Sequence, residues 1–145
     1  MSEIQELKSH IKKLESVFTA ALEELEIIED VDYNILSADE RFEFNQIKKI
    51  KDRLWTLHHI LEYVNMSVTA EGILFKNEAG RYALDEYTYF TCGSDIEVLI
   101  KDADGENYWV KTRVEHDGED YYLVNFPQLS MLGLYVRKRG SMTPT

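Results

Sequence analysis

The apolar positions of the first 28 residues recur at helical spacing. Ile4, Leu7, Ile11, Leu14, Phe18, Ala21, Leu25 and Ile28 step alternately by three and four residues, which is the heptad seam of a helix that packs lengthwise against another. Ile47, Ile50, Leu54, Leu57, Leu61 and Val64 repeat that step. These spacings predict an antiparallel, coiled-coil-like two-helix hairpin over residues 1–69, with one helix from Ile4 to Ile28 and a second from Ser37 to about Asn65. Ser2, standing before Glu3 and Glu6, caps the first helix. Ser37-Ala38-Asp39-Glu40 opens the second as a capping box, in which the Ser hydroxyl and the Glu three residues later each take up an exposed amide. Asp30 to Leu36 connects the two, with Tyr33 and Ile35 closing over the end.

From Gly72 the period changes to alternation. Short extended runs are predicted at Ile73–Lys76, Arg81–Leu84, Tyr87–Thr91, Ile96–Lys101, Tyr108–His116, Tyr121–Val124 and Leu134–Arg137. The turns between them fall at Asn77–Gly80, Asp102–Gly105 and Asp117-Gly118. On the longest strand Trp109, Lys111, Arg113 and Glu115 face one way and Tyr108, Val110, Thr112 and Val114 the other. So many short strands in about seventy residues predict a small, strongly bent antiparallel barrel. The expectation is therefore an α+β chain with a helical hairpin over 1–69, a small β-barrel over 70–140 and a flexible tail at 141–145.

The residues Gly72-Ile73-Leu74, Gly80-Arg81-Tyr82, Gly93-Ser94-Asp95-Ile96-Glu97-Val98, Thr112-Arg113-Val114-Glu115-His116-Asp117-Gly118, Tyr121-Tyr122-Leu123, Gly133-Leu134 and Val136-Arg137 together resemble a family of short SH3-like barrel domains. That family, of unknown function, is found in Gram-positive bacteria and their phages and mobile elements. The resemblance covers the C-terminal half and transfers no catalytic residue. It implies a fold and a mobile-element setting.

Charge narrows the class of partner. The chain carries a formal net charge of −11, shared as 8 Lys and Arg against 14 Asp and Glu through Thr69, and 8 against 13 from Ala70 onward. Neither half is basic, which disfavours binding to a nucleic-acid backbone or an anionic membrane, where affinity comes mainly from neutralised phosphate. Glu23, Glu24, Glu26, Glu29, Asp30 and Asp32 crowd the last turns of the first helix, where the helix dipole prefers cations and like charges repel. The basic Lys48, Lys49, Lys51 and Arg53 are expected opposite Lys12, Lys13 and Glu15 instead, leaving the molecule polarised along its length. The acidic end is accordingly a candidate contact surface for Lys and Arg on a partner.

Other chemistry is thinly represented. No apolar run reaches the roughly 18 residues of a membrane span, and Met1–Lys13 lacks the form of a signal peptide, so a cytoplasmic location is expected. Cys92 is alone and reads as a partly buried structural thiol. Adjacent His58 and His59 point to different sides of a helix, and Asp102-Ala103-Asp104-Gly105-Glu106 opens like a calcium loop but runs into a strand. Asp117, His116 and Ser130 lack the surroundings of a catalytic triad. Neither metal nor cofactor is expected, and the chain reads as a non-enzyme.

The aromatics are concentrated in the β-region, and Tyr87, Tyr89, Trp109 and Tyr121 are the expected exposed members of a peptide-binding surface. The function this supports is a protein-binding inhibitor or adaptor that meets a basic host protein through acidic and aromatic surface. A nucleic-acid-handling protein such as a CRISPR nuclease is the kind of target meant, which makes an anti-CRISPR or anti-defence role its specific form. The alternative is a nucleic-acid-binding regulatory module in which the aromatics stack on bases and Lys111, Arg113, Arg137, Lys138 and Arg139 contact phosphate. Val17, Leu22, Ile27, Phe42, Phe44, Ile60 and Tyr63 lie off the seam, and this extra apolar surface predicts a homodimer through the helices.

Overall fold

The computed structural model describes residues 2–140, so the tail expected at 141–145 lies outside the described residues. The chain is α+β, a helical region followed by antiparallel sheets, and divides into two compact units between Asn65 and Met66. That division falls four residues before the expected boundary at 69/70. The alternating period starts earlier than it reads, because the first strand begins at Ser67 rather than after Gly72.

The first predicted helix is not continuous. It consists of α1 (Glu3–Lys12), α2 (Glu15–Glu24) and a 3-10 segment, Leu25–Asp30. Between α1 and α2 the backbone stays right-handed, with Lys13 at φ −62°, ψ −23° and Leu14 at φ −85°, ψ −14°. It tightens by one step, the Leu14 amide donating to the Ile11 carbonyl at 2.9 Å. No Gly or Pro falls there. The seam itself supplies the reason, since its period of 3.5 drifts by about 20° per heptad on an ideal helix, and a step wound at three residues per turn recovers about that angle. Local overwinding stands in for a uniform supercoil.

Both predicted caps form. Ser2 closes a capping box with Gln5, and Ser37 closes one with Glu40 at the start of α3 (Ala38–Asn65), with bonds of 3.1 and 3.2 Å. Between them the connection turns back on the first turns of α3. Arg41 donates to the Tyr33 and Asn34 carbonyls at 3.3 and 3.1 Å, and the Tyr33 ring lies 5.6 Å from that of Phe44. Ile35, expected to help close the end, stays exposed.

This return sets the register. Ile28 and Glu29 sit beside Phe44, Asn45 and Lys48, while Lys8, Ile11, Leu14 and Phe18 sit beside Leu57, Ile60, Leu61 and Val64. Lys48 and Lys51 of α3 therefore lie beside Glu29 at the acidic end, contrary to expectation, and Lys51 pairs with Glu29 at 3.3 Å. The seam also closes only in part. Ile28 and Leu61 are buried, Phe18, Ala21, Leu25 and Leu54 half-buried, and Ile4, Leu7, Ile11, Leu14, Ile47, Ile50, Leu57 and Val64 exposed.

The second unit holds β1 (Ser67–Ile73), β2 (Phe75–Lys76), β3 (Tyr82–Ala83), β4 (Tyr89–Phe90), β5 (Asp95–Lys101), β6 (Asn107–His116), β7 (Tyr121–Leu123) and β8 (Tyr135–Gly140). They form a five-stranded sheet in the order β1-β8-β5-β6-β7 and a three-stranded sheet in the order β2-β3-β4. Two separate sheets are observed where a single barrel was expected. Leu74, between β1 and β2, exchanges backbone hydrogen bonds with Gly133 and Leu134 at 3.0 and 2.9 Å.

Alternation along the strands builds one core. Ile96 and Val98 of β5, Val114 of β6, Leu123 of β7 and Val136 of β8 meet Tyr82 and Phe90 of the smaller sheet, with Leu74 and Met131 filling in. The turns carry the required glycines, Gly80 at φ 80° and Gly118 at φ 100° among them. Asp117–Asp120 is longer than the two-residue hairpin expected, because the Asp117 carboxylate accepts from the Glu119 and Asp120 amides at 2.8 and 2.9 Å and holds four residues in the turn. Phe90 is fully buried between the sheets. Phe90→Ala should destabilise this unit by about 4 kcal/mol through lost burial and the cavity left behind, measured by urea unfolding followed through Trp109 fluorescence in a Trp55→Phe background.

Candidate functional site

The non-core face of the larger sheet carries a polar cluster centred on Glu97. Cross-strand register places Arg137 opposite both Glu71 and Glu97, and Glu97 opposite Lys111. One row across β1, β8, β5 and β6 thus reads acid, base, acid, base. The Glu97 side chain is only 6% exposed and takes two guanidiniums, Arg137 at 2.7 Å and Arg139 at 2.6 Å. Arg139 reaches further, donating to the Met66 carbonyl at 2.8 Å.

The neighbouring row is aromatic. The Arg137 guanidinium lies 4.1 Å from the centre of the Trp109 ring, which is 6.0 Å from Tyr135. The Tyr135 hydroxyl donates to Glu71 at 2.7 Å, and that bond raises its pKa, with some desolvation and the Glu71 charge adding to it. Arg137 is therefore held between the Glu97 carboxylate and the Trp109 ring. This arrangement stabilises the sheet and leaves its strongest cations satisfied.

A second cluster joins the two sheets. The buried Tyr82 donates its hydroxyl to Asp120 at 2.9 Å, and Lys76 pairs with the same carboxylate at 3.2 Å. Burial raises the Tyr82 pKa, and the Asp120 hydrogen bond and charge raise it further. Burial also pushes Asp120 up, but the Tyr121 amide, the Tyr82 hydroxyl and Lys76 together outweigh it and leave the carboxyl below its ordinary value. Neither Glu97 nor Asp120 is among the residues expected from the sequence to form a site. For Glu97 the signal was the run Ile96-Glu97-Val98-Leu99-Ile100, in which a lone carboxylate among apolar neighbours needs a buried counter-ion.

The residues expected to form contact surface are dispersed. Glu23, Glu24, Glu26, Glu29, Asp30 and Asp32 are all exposed around the 3-10 segment. Glu29 pairs with Lys51 and Asp32 caps the Asn34 amide, whereas no ion pair or side-chain hydrogen bond engages Glu23, Glu24, Glu26 or Asp30 among the described residues. Tyr87 is exposed, and Tyr89 lies under Arg81, 5.2 Å from ring centre to guanidinium. Trp109 is half-buried under Arg137, and Tyr121 stacks edge-on with His116 at 4.7 Å. His116 and Trp109 are seven residues apart on β6, about 23 Å. The structure therefore does not gather these aromatics into one groove.

The basic residues of the alternative reading are mostly engaged. Arg137 and Arg139 pair with Glu97, Arg113 with Glu115 at 2.8 Å, and Lys138 lies 5.9 Å from the Phe90 ring. Cys92 is exposed in the Thr91–Ser94 turn, not partly buried as expected, because the chain bends outward there to enter β5. His58 and His59 converge on one side chain after all, Glu62, at 3.0 and 3.3 Å. Among the described residues no group of three His, Cys, Asp or Glu is placed to hold a metal, and no helix is long and apolar enough to cross a membrane. A cleft of about 610 Å³ lies between Leu99–Lys101 and the Asn125–Leu129 loop, with Lys101 the one charged residue in its lining.

Residues 71–138 match the family model described as Domain of unknown function (DUF5348). The match spans β1 from Glu71 to β8 at Lys138 and includes Glu97, Arg137 and the Asp120 cluster, while Arg139 lies one residue beyond it. Neither the curated proteins nor the solved structures contain a match to the chain.

The clusters generate two expectations. Glu97→Gln leaves two guanidiniums facing each other without a counter-charge and should cost roughly 3 kcal/mol in denaturant unfolding. The Asp120 carboxyl has a depressed folded pKa, so its stabilisation is fully present above the ordinary value of 3.8 and is lost as pH falls through the folded value. Asp120→Asn should lower Tm at neutral pH and flatten the further fall of Tm as the pH drops below 3.8.

Proposed function

We propose that the chain is a non-enzymatic protein-binding inhibitor or adaptor that uses its acidic helix end against a basic protein. The observation that carries this reading is the set of carboxylates Glu23, Glu24, Glu26 and Asp30, exposed together and without a cation of their own among the described residues. The net charge of −11 extends the same potential over the surface, which speeds encounter with a basic partner and repels nucleic acid. In this reading the helical region acts as a two-helix hairpin presenting its acidic end. The second unit, two sheets around one core, acts in this reading as an open SH3-like domain of the kind spread through Gram-positive bacteria and their phages and mobile elements. The form we favour is an anti-defence protein that occupies the nucleic-acid channel of a host enzyme such as a CRISPR nuclease, in the cytoplasm.

The test is capture from a host lysate by the immobilised chain. A basic protein should be retained at about 50 mM salt and released by about 500 mM, because exposed charges are screened over a shorter range as salt rises. Glu23→Gln/Glu24→Gln/Glu26→Gln should lose most of the capture, and equal retention by this variant overturns the reading. Filter binding of labelled single-stranded and duplex nucleic acid at about 50 mM salt should show no retention.

A further inference from the structure

Helix α1 is the least supported element of the molecule. Ile4, Leu7 and Ile11, its whole apolar seam, are 66%, 57% and 44% exposed. The register described above explains why. Asn65, the last residue of α3, closes the same groove as Lys8 and Ile11, and neither Ile4 nor Leu7 lines that groove. A helix of ten residues without a packed face is marginal in water, whatever its caps. From the end of α1 into α2 the chain leaves an apolar groove of about 440 Å³ against α3, between Ile11, Leu14 and Phe18 on one side and Leu57, Ile60 and Val64 on the other.

The charges of α1 name the occupant. Its first turn is acidic, with Glu3 and Glu6, and its last turn basic, with His10 and Lys12; Lys8 and Lys13 extend the basic side. Such a helix is complementary to itself reversed. Laid antiparallel on a second α1 about an axis at Leu7, it sets Ile4 against Ile11 of the other copy, Leu7 against Leu7, and Glu3 against the basic turn. The carboxylates and cations then flank the apolar row on both sides, as in a paired seam. A parallel arrangement would stack Glu on Glu and Lys on Lys.

We infer that α1 is the dimerisation element, and that its partner is α1 of a second copy of this chain related by a twofold axis. Two ten-residue helices alone bury less than a stable interface requires. The leading turn of each α1 therefore also enters the mouth of the other copy's groove, where Ile4 covers Ile11, Leu14 and the α3 residues Ile60 and Val64. The inference does not depend on the acidic end, which α1 does not contain.

Charge reversal tests it. Wild-type protein at about 50 µM should sediment at twice 17.0 kDa. Glu3→Lys/Glu6→Lys makes α1 wholly basic, and Lys8→Glu/Lys12→Glu makes it predominantly acidic. Each variant alone should dimerise roughly tenfold more weakly at about 50 mM salt, from several like-charge contacts of a few tenths of a kcal/mol each. An equimolar mixture should recover the wild-type mass as a heterodimer, which also shows that both variants fold. A wild-type mass of 17.0 kDa, variants that dimerise like wild type, or a mixture that stays monomeric each overturns the inference.

Discussion

The second unit depends on where β8 lies. The last strand inserts between the first and the fifth, pairing with β1 along six positions and with β5 at Glu97 and Val98. Its two faces are fixed by different forces. Val136 points into the core between the sheets, and Arg137 and Arg139 converge on Glu97 from the other side. A register slip of one residue would turn a guanidinium into the core and expose the valine. The buried ion pair thus acts as a register lock, the best-attested use of such a pair, more than as a source of net stability. Because β1 and β8 are about seventy residues apart, the sheet is completed through contacts of long sequence separation, which makes its folding slow and cooperative relative to the helices.

Local chemistry was legible in the sequence, and long-range register was not. Both helix caps, the β6 alternation and the glycine turns follow from residues within a few positions of one another, and they appear where the pattern puts them. The break at Lys13 and Leu14 has no Gly or Pro to mark it, since it answers a mismatch accumulated over two heptads. The strand β1 was hidden because the alternation of Ser67-Val68-Thr69-Ala70-Glu71 offers only Val68 and the small Ala70 as apolar members, directly after a long helical run, and its place comes from pairing with β8. Glu97 read as an ordinary outward position of an alternating strand. Its role is set by Arg137 and Arg139, forty residues away.

The same distinction governs charge. A net charge of −11 counts residues, whereas the structure shows which of them are neutralised nearby. In the sheets, acids and bases meet in pairs, Glu97 with two arginines, Asp120 with Lys76 and Glu115 with Arg113. In the helical region Lys51 reaches Glu29, and most of the neighbouring carboxylates stand alone among the described residues. The 3-10 segment thus carries a dense local group of unpaired carboxylates, although both halves of the chain carry a similar excess. Formal charge per domain would have placed the two regions on an equal footing.

Burial is as uneven as charge. The sheets enclose a core of nine buried side chains, while the helices bury Ile28 and Leu61. Opening free energies follow buried apolar contacts, so the amide protons of β5, β6 and β8 belong to a slow-exchanging set and those of α1 to a fast one. The chain therefore contains two reservoirs of order with separate temperatures of loss, and a single midpoint for the whole molecule would average over them. The weakly held helices can gain order on contact while the sheets stay unchanged, which turns part of the stability missing from the isolated chain into cooperativity with whatever covers them.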